Sequence, residues 1–272
     1  MLINNSLIVV VSQDVIFKPF FVSNLIHILE KENIKISLIV EVSSKKNFSK
    51  KDKSSIGKTW SLFAIIQFGF IFIQKKITSI LPIPLSLKWK STVKLVARKN
   101  GIPYKFINDL NKFLSHLNLK KDDLVFSFQH QIIKKPETYK ATLINCHPGD
   151  VSKYRGIKPI FWSMLDKNKE GQVSVHFIDS GIDTGNLISK KGFPFNKSLG
   201  DNYYEAYKVS SLVAADAIKK LKKKEKIENK PTFINPYSYK SQPNRLEIKR
   251  FYKNGLKTRL SFINLIRLLR NF

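Results

Sequence analysis

Two hydrophobic patterns take turns along the chain. Leu7 to Val11 is short and fully apolar, as a central parallel strand covered on both faces must be. Phe20 to Glu32 follows with helical spacing at Phe21, Leu25, Ile28 and Leu29, and Ile36 to Val42 predicts a second strand. Ser43 to Lys58 is rich in lysine and serine without any period, which predicts a loop. Thr92 to Lys99 predicts a helix stopped by Asn100-Gly101, Pro103 to Ile107 a strand, Asp109 to Leu117 a helix and Leu124 to Phe128 another strand. Ala141 to Asn145 predicts a strand ended by Pro148-Gly149, and Asp201 to Lys223 a long amphipathic helix with lysines gathering toward its carboxyl end. Strands and helices in alternation with short connections predict an α/β fold, a mostly parallel central sheet with helices on both faces.

One segment breaks this rhythm. Apolar residues at Trp60, Phe63, Ala64, Ile66, Phe70, Ile71 and Ile73 cover most of a helix's circumference, and Lys75, Lys76, Lys88 and Lys90 follow closely. Trp60 to Leu85 is therefore either packed into the core or laid on an anionic membrane surface, as a peripheral helix or a lid inserted after the second strand. Its longest apolar stretch, Trp60 to Ile73, falls short of the roughly 20 residues a spanning helix needs. The pattern thus predicts a main domain over residues 1–228, with an apolar and basic insert at about 43–90, and a short basic C-terminal extension over 229–272 broken by Pro231, Pro236 and Pro243.

Composition adds less. The chain of 272 residues is long enough for one large core, and its single cysteine excludes an internal disulfide framework and fits a reducing, cytoplasmic setting. Met1 to Ser6 has no basic flank and Leu7 to Val11 is too short for a signal-peptide core, so no secretion signal is expected. The net charge of +28 admits attraction to nucleotide-linked sugars, nucleic acid or acidic membranes. The excess of lysine over arginine is equally what an AT-rich genome produces.

The chemistry is concentrated in the third quarter. Asn145-Cys146-His147-Pro148-Gly149 is followed by Tyr154-Arg155-Gly156, by the alternating stretch Gly171 to His176, and by Asp179-Ser180-Gly181-Ile182-Asp183-Thr184-Gly185. Asn145 and His147, at i and i+2 on the end of a strand, face one pocket, while Cys146 between them points away as a small buried hydrophobe. An isolated Asn-X-His before Pro-Gly is an ordinary polar turn, and Asp183-Thr184-Gly185 alone is a common cap. Their conjunction in this order and spacing is not common. His176, on its alternating strand, reads as a satisfied structural histidine ahead of a catalytic one.

This constellation resembles that of the folate-dependent formyltransferases, and the stretches Ala97 to Asn111 and Asp122 to Ile133 resemble the family as well. The resemblance implies a Rossmann-like formyltransferase fold and transfer of a formyl group from 10-formyltetrahydrofolate to a primary amine, without a metal. In that chemistry a tetrahedral carbon bears an oxyanion while the attacking amine sheds a proton. Asn145, which does not titrate, suits the oxyanion donor. His147 suits the general base and then acid, and Asp183 its orienting partner. The resemblance puts the folate against Phe128, Gln129, Gln131 and Ile133 and against Phe177, Asp179, Gly181 and Ile182, largely through backbone groups. It puts the amine acceptor near Gly149, Tyr154, Arg155 and Gly156.

Two departures bear on the acceptor. The stretch Val11 to Lys18 lacks the glycine-rich phosphate loop of members acting on glycinamide ribonucleotide, and Gly149-Asp150-Val151-Ser152 replaces the His-Pro-Ser and Leu-Leu-Pro turn common in relatives. The tail is too short for the β-barrel of methionyl-tRNA formyltransferases and resembles that of formyltransferases from surface-polysaccharide contexts. The expected acceptor is thus a nucleotide-linked amino sugar rather than tRNA. A tRNA or purine-precursor formyltransferase, a folate-dependent hydrolase, and a non-catalytic folate-binding or membrane-peripheral protein of the same fold are the alternatives. The oligomeric state is not legible.

Overall fold

In a computed structural model, residues 5–14, 16–43, 59–80, 92–225, 227 and 236–270 are described. The lysine- and serine-rich stretch lies outside them, apart from Ser43.

Seven strands form one twisted sheet, β1 (Leu7–Ser12), β2 (Leu38–Val42), β3 (Tyr104–Ile107), β4 (Leu124–Phe128), β5 (Thr142–His147), β7 (Glu170–Phe177) and β8 (Leu187–Pro194), in the order β3-β2-β1-β4-β5-β7-β8. The first five run parallel; β7 and β8 add an antiparallel edge. Strand order reverses direction between β1 and β4, so a crevice opens outside their carboxyl ends. The apolar run of β1 is explained by double cover. Leu7, Val9 and Val11 enter one core with α1 (Lys18–Lys31) and α6 (Leu199–Lys222), whereas Ile8 and Val10 enter a second core with α4 (Leu110–Ser115).

Local chemistry sets the helix ends. Thr92 accepts from the Leu95 N–H to start α3 (Val93–Lys99), Asp109 accepts from Lys112 to start α4, and Ser198 accepts from Asp201 to start α6. Helix α1 begins two residues earlier than its apolar spacing indicates, since Pro19 is tolerated in a first turn. Strand β5 runs two residues further than expected, to His147, because β7 pairs with it as far as His147 opposite Ser174.

The Trp60 segment forms α2 (Leu62–Ile80). Its Ala64 and Ile71 are buried, Phe68 packs edge-on against Trp60, and Gln67 exchanges two hydrogen bonds with the Leu260 backbone, at 3.1 and 3.0 Å. The tail folds back on the main body. Its strand β9 (Tyr239–Lys240) pairs with β6 (Arg155–Gly156), and α7 (Arg245–Lys253) stacks Phe251 on Phe161 of α5 (Pro159–Leu165) with ring centres 4.7 Å apart. Helix α8 (Phe262–Arg270) lies beside α2. No helix among the described residues is long and apolar enough to cross a membrane.

Candidate active site

Strand alternation puts Asn145 and His147 on the same side of β5, with Cys146 turned into the opposite core among Ile144 and the α6 side chains. Cys146 is buried, and burial pushes its thiol up to about 12.

Asp183 comes to this pair from a loop after β7. Its backbone sits in the left-handed region at φ 53°, unusual for a residue with a side chain. There one carboxylate oxygen, Oδ2, lies 3.4 Å from His147 Nδ1 and accepts the Gly156 N–H at 2.9 Å. The other, Oδ1, lies 3.3 Å from Asn145 Nδ2 and 3.5 Å from His176 Nε2. Burial alone would raise this carboxyl, but His147, His176 and the Gly156 amide outweigh it and hold Asp183 well below the usual carboxylate range. The carboxylate is therefore charged at neutral pH and faces both imidazoles.

The backbone fixes which ring nitrogen carries a proton. His147 Nε2 is 2.6 Å from the Tyr154 carbonyl and His176 Nδ1 is 2.7 Å from the Phe177 carbonyl, and a carbonyl can only accept. Each imidazole thus donates to main chain and turns its other nitrogen toward Asp183. In His147 that other nitrogen is Nδ1. Asn145 Nδ2 also lies 3.3 Å from His176 Nε2, so its two N–H groups reach Asp183 and His176. His176 belongs to the cluster, which its sequence context does not reveal: it reaches Asn145 through the β5–β7 register, where the two are directly paired.

The residues expected around an acceptor brace this cluster instead of leaving it open. Tyr154 is buried, with its carbonyl on His147 and its hydroxyl on Asp166 and Asn168. Arg155 donates from Nε to Ser238 at 2.8 Å and from Nη1 to the Ile182 carbonyl, tying tail and Asp183 loop together. Gly156 has φ +86°, and a Cβ there would stand 2.6 Å from the Lys240 carbonyl, so only glycine lets β9 approach and its amide reach Asp183. At Gly149 a Cβ would meet Pro159 at 2.4 Å and His147 Nε2 at 2.9 Å, so a side chain there would crowd both. Gly149 and Tyr154 also border a cavity of about 430 Å³, whose lining includes none of Asn145, His147, His176 and Asp183.

The residues expected around a folate occupy two loops. Phe128 and Ile133 are buried, and Ile133 shares its apolar cluster with Ile178. The two glutamines are engaged within the protein: Gln129 caps its own loop through the Gln131 backbone, and Gln131 accepts from Leu110 N–H at 2.9 Å and donates to the Asn108 carbonyl. Asp179 closes the second loop by accepting from Thr184 Oγ1 and Gly181 N–H. Phe177 is half-buried, while Gly181 and Ile182 are exposed. Both loops thus hold their shape through their own side chains.

Lys18, which no sequence pattern marks, is fully buried at the start of α1. Its Nζ donates to the Phe128 carbonyl at 2.6 Å over the Phe128 ring, and burial lowers its pKa to about 7.

Residues 112–206 match the family described as Formyl transferase, the stretch that holds Asn145, His147, His176 and Asp183. The methionyl-tRNA formyltransferase of Finegoldia magna is 35% identical over 104 residues, 36% of this chain and 34% of that protein. The chain thus spans about a third of the length of such curated relatives. Among solved structures, the sugar 3N-formyl transferase WlaRD, crystallised with dTDP and 5-N-formyl-THF, shares 17% identity at a TM-score of 0.59 over 94% of this chain and 82% of its own. The N-formyltransferase from Helicobacter canadensis, in complex with folinic acid and dTDP-3-aminofucose, shares 19% at a TM-score of 0.57 over 94% and 84%. These structural likenesses establish the fold.

Proposed function

We propose that the chain, whose residues 112–206 match the Formyl transferase family, transfers a formyl group from 10-formyltetrahydrofolate to the primary amine of a nucleotide-linked amino sugar. The observation that carries the reading is the Asp183 carboxylate, held charged between His147 Nδ1, His176 Nε2 and Asn145 Nδ2 at the carboxyl end of β5.

The amine nitrogen attacks the formyl carbon, forming the new C–N bond as the C=O π pair moves onto oxygen. Asn145 gives up one of its 3.3 Å contacts for a shorter bond to that oxyanion. The amine's proton passes to His147 Nδ1, and Asp183 stabilises the imidazolium whose other N–H is already fixed on Tyr154. Collapse expels the folate nitrogen, which takes the proton back. The products are a formamide and tetrahydrofolate.

One point supports a sugar nucleotide: both sugar-modifying structures share this fold over 94% of the chain, and the one from Helicobacter canadensis holds a dTDP-amino sugar.

The test is an acceptor screen with 10-formyltetrahydrofolate, following tetrahydrofolate release and formamide formation with dTDP-linked amino sugars, glycinamide ribonucleotide and charged initiator tRNA. Turnover with an amino sugar is expected. Tetrahydrofolate release without any acceptor would make the protein a hydrolase, and efficient tRNA formylation would move it to the class of its curated relatives.

A further inference from the structure

Helix α2 is apolar all round, but only one stripe of it is packed. Ala64, Gln67, Phe68 and Ile71, at i, i+3, i+4 and i+7, turn inward. On the opposite arc Leu62, Ile66, Phe70 and Ile73 are each more than half exposed, and α8 alongside adds Phe262 and Ile263, also more than half exposed. Two elements far apart in sequence thus pack side by side and both expose large apolar side chains. The Gln67 bonds to the Leu260 backbone and the Thr258 hydroxyl bonds to Ser61 tie the two elements together. Single exposed apolar residues need no explanation, whereas a face of this extent marks an interaction site.

The charge of the two runs that carry the face bears on its partner. In sequence, residues 53–108 hold ten Lys or Arg and no Asp or Glu, and residues 248–272 hold seven and none; Asp201, which bonds to Ser261 and Asn264 beside α8, is buried. Both helices of the face fall in these acid-free runs. Exposed Lys76 lies on the α2 arc, Arg267 is exposed on α8, and the Arg259 guanidinium stands 5.4 Å from the centre of the Phe63 ring. A second copy of the chain would set two cationic rims against each other, which costs energy. RNA would leave the bare aliphatic side chains with nothing to stack on. An anionic bilayer satisfies both features, since acyl chains take the apolar arc and acidic head groups take the rim.

We propose that α2 and α8 together form a platform that docks the protein on the surface of an anionic membrane, the helices lying in the interface plane. This goes beyond the formyl transfer reading and does not depend on it. Six large apolar side chains against one leaflet, with cations around them, is the composition of an interfacial helix pair. No spanning segment is required, in keeping with the length of α2.

The experiment is co-sedimentation of the full chain with sucrose-loaded vesicles, of phosphatidylcholine alone or with about a third phosphatidylglycerol, at low and high salt. Binding is expected to the anionic vesicles and to weaken with salt. Ile66→Glu, Phe70→Glu and Phe262→Glu combined should cut the bound fraction at least about tenfold, with circular dichroism and melting unchanged, since all three side chains face solvent. If that variant does not fold, Arg259→Gln with Arg267→Gln, which leaves the apolar face intact, should lower binding to anionic vesicles. The proposal is overturned by absence of vesicle binding at low salt, by binding that a folded triple-Glu variant retains in full, by loss of binding in neither variant, or by a concentration-dependent dimer that the Glu substitutions dissolve. RNA binding abolished by the same substitutions, without vesicle binding, would assign the face to nucleic acid and equally sink it.

Discussion

Asp183 is the residue on which the site turns, because four groups from three segments, Asn145 and His147 of β5, Gly156 of β6 and His176 of β7, meet its two oxygens. His147→Ala and Asp183→Asn should each lower turnover at least about 10²-fold, and Asn145→Ala about 10²- to 10³-fold in kcat, as measured by formamide formation under saturating folate. His176→Gln keeps a polar group on Asp183 and should cost less than His147→Ala in the same assay; an equal loss would make His176 a proton carrier. Lys18 gives a pH-dependent outcome. Its pKa is about 7 folded against 10.5 ordinarily, so between these values the unfolded chain binds more protons and stability rises with pH. Below about pH 7 the burial cost is present in full. The stability advantage of Lys18→Met over the parent should therefore be largest near neutrality and shrink toward pH 10, which melting curves across that range would check. Asn145, His147 and Asp183 were legible because residue type and chain spacing carry them. His176 and Lys18 were not. One depends on an antiparallel register and the other on burial, and neither leaves a local mark.

At the scale of elements, the apolar runs and the Asn100-Gly101 stop of α3 were readable because they act within a few residues, whereas α6 starts at Leu199, capped by Ser198, ahead of the expected Asp201. The tail was readable only as short. Its value lies in long-range contacts, with β9 against β6 and Arg155 held by Ser238, so that the tail helps set the loop carrying Asp183. Phe251 is fully buried on Phe161, and Phe251→Ala should cost about 3–5 kcal/mol by denaturant unfolding. Gly149→Ala places a Cβ against Pro159 and His147; about 1–3 kcal/mol of stability and a clear drop in kcat should go together. Stability lost without kcat would mean that the loop moves away from His147. The Trp60 segment held two readings in sequence, and the structure gives each a face: an inner stripe in the core and an outer arc in solvent. Periodicity cannot separate these when every position is apolar.

For the whole molecule, the parallel sheet with an antiparallel edge places a charged carboxylate, two imidazoles and an amide outside the strand ends where such sheets hold ligands. The charge of +28 is unevenly placed, and that asymmetry rather than its sum separates the acceptor question from the surface question. A small anionic acceptor needs few phosphate contacts, so the KM for a sugar nucleotide should rise only modestly with salt, whereas tRNA would show a steep dependence. The most direct measurement is a single-turnover reaction of 10-formyltetrahydrofolate with a dTDP-linked amino sugar, run side by side with parent enzyme, His147→Ala and Asp183→Asn. Stoichiometric formamide is expected from the parent, and a rate at least about 10²-fold slower from each variant with folate still bound. Formamide formed by the variants at the parent's rate would contradict the roles of His147 and Asp183.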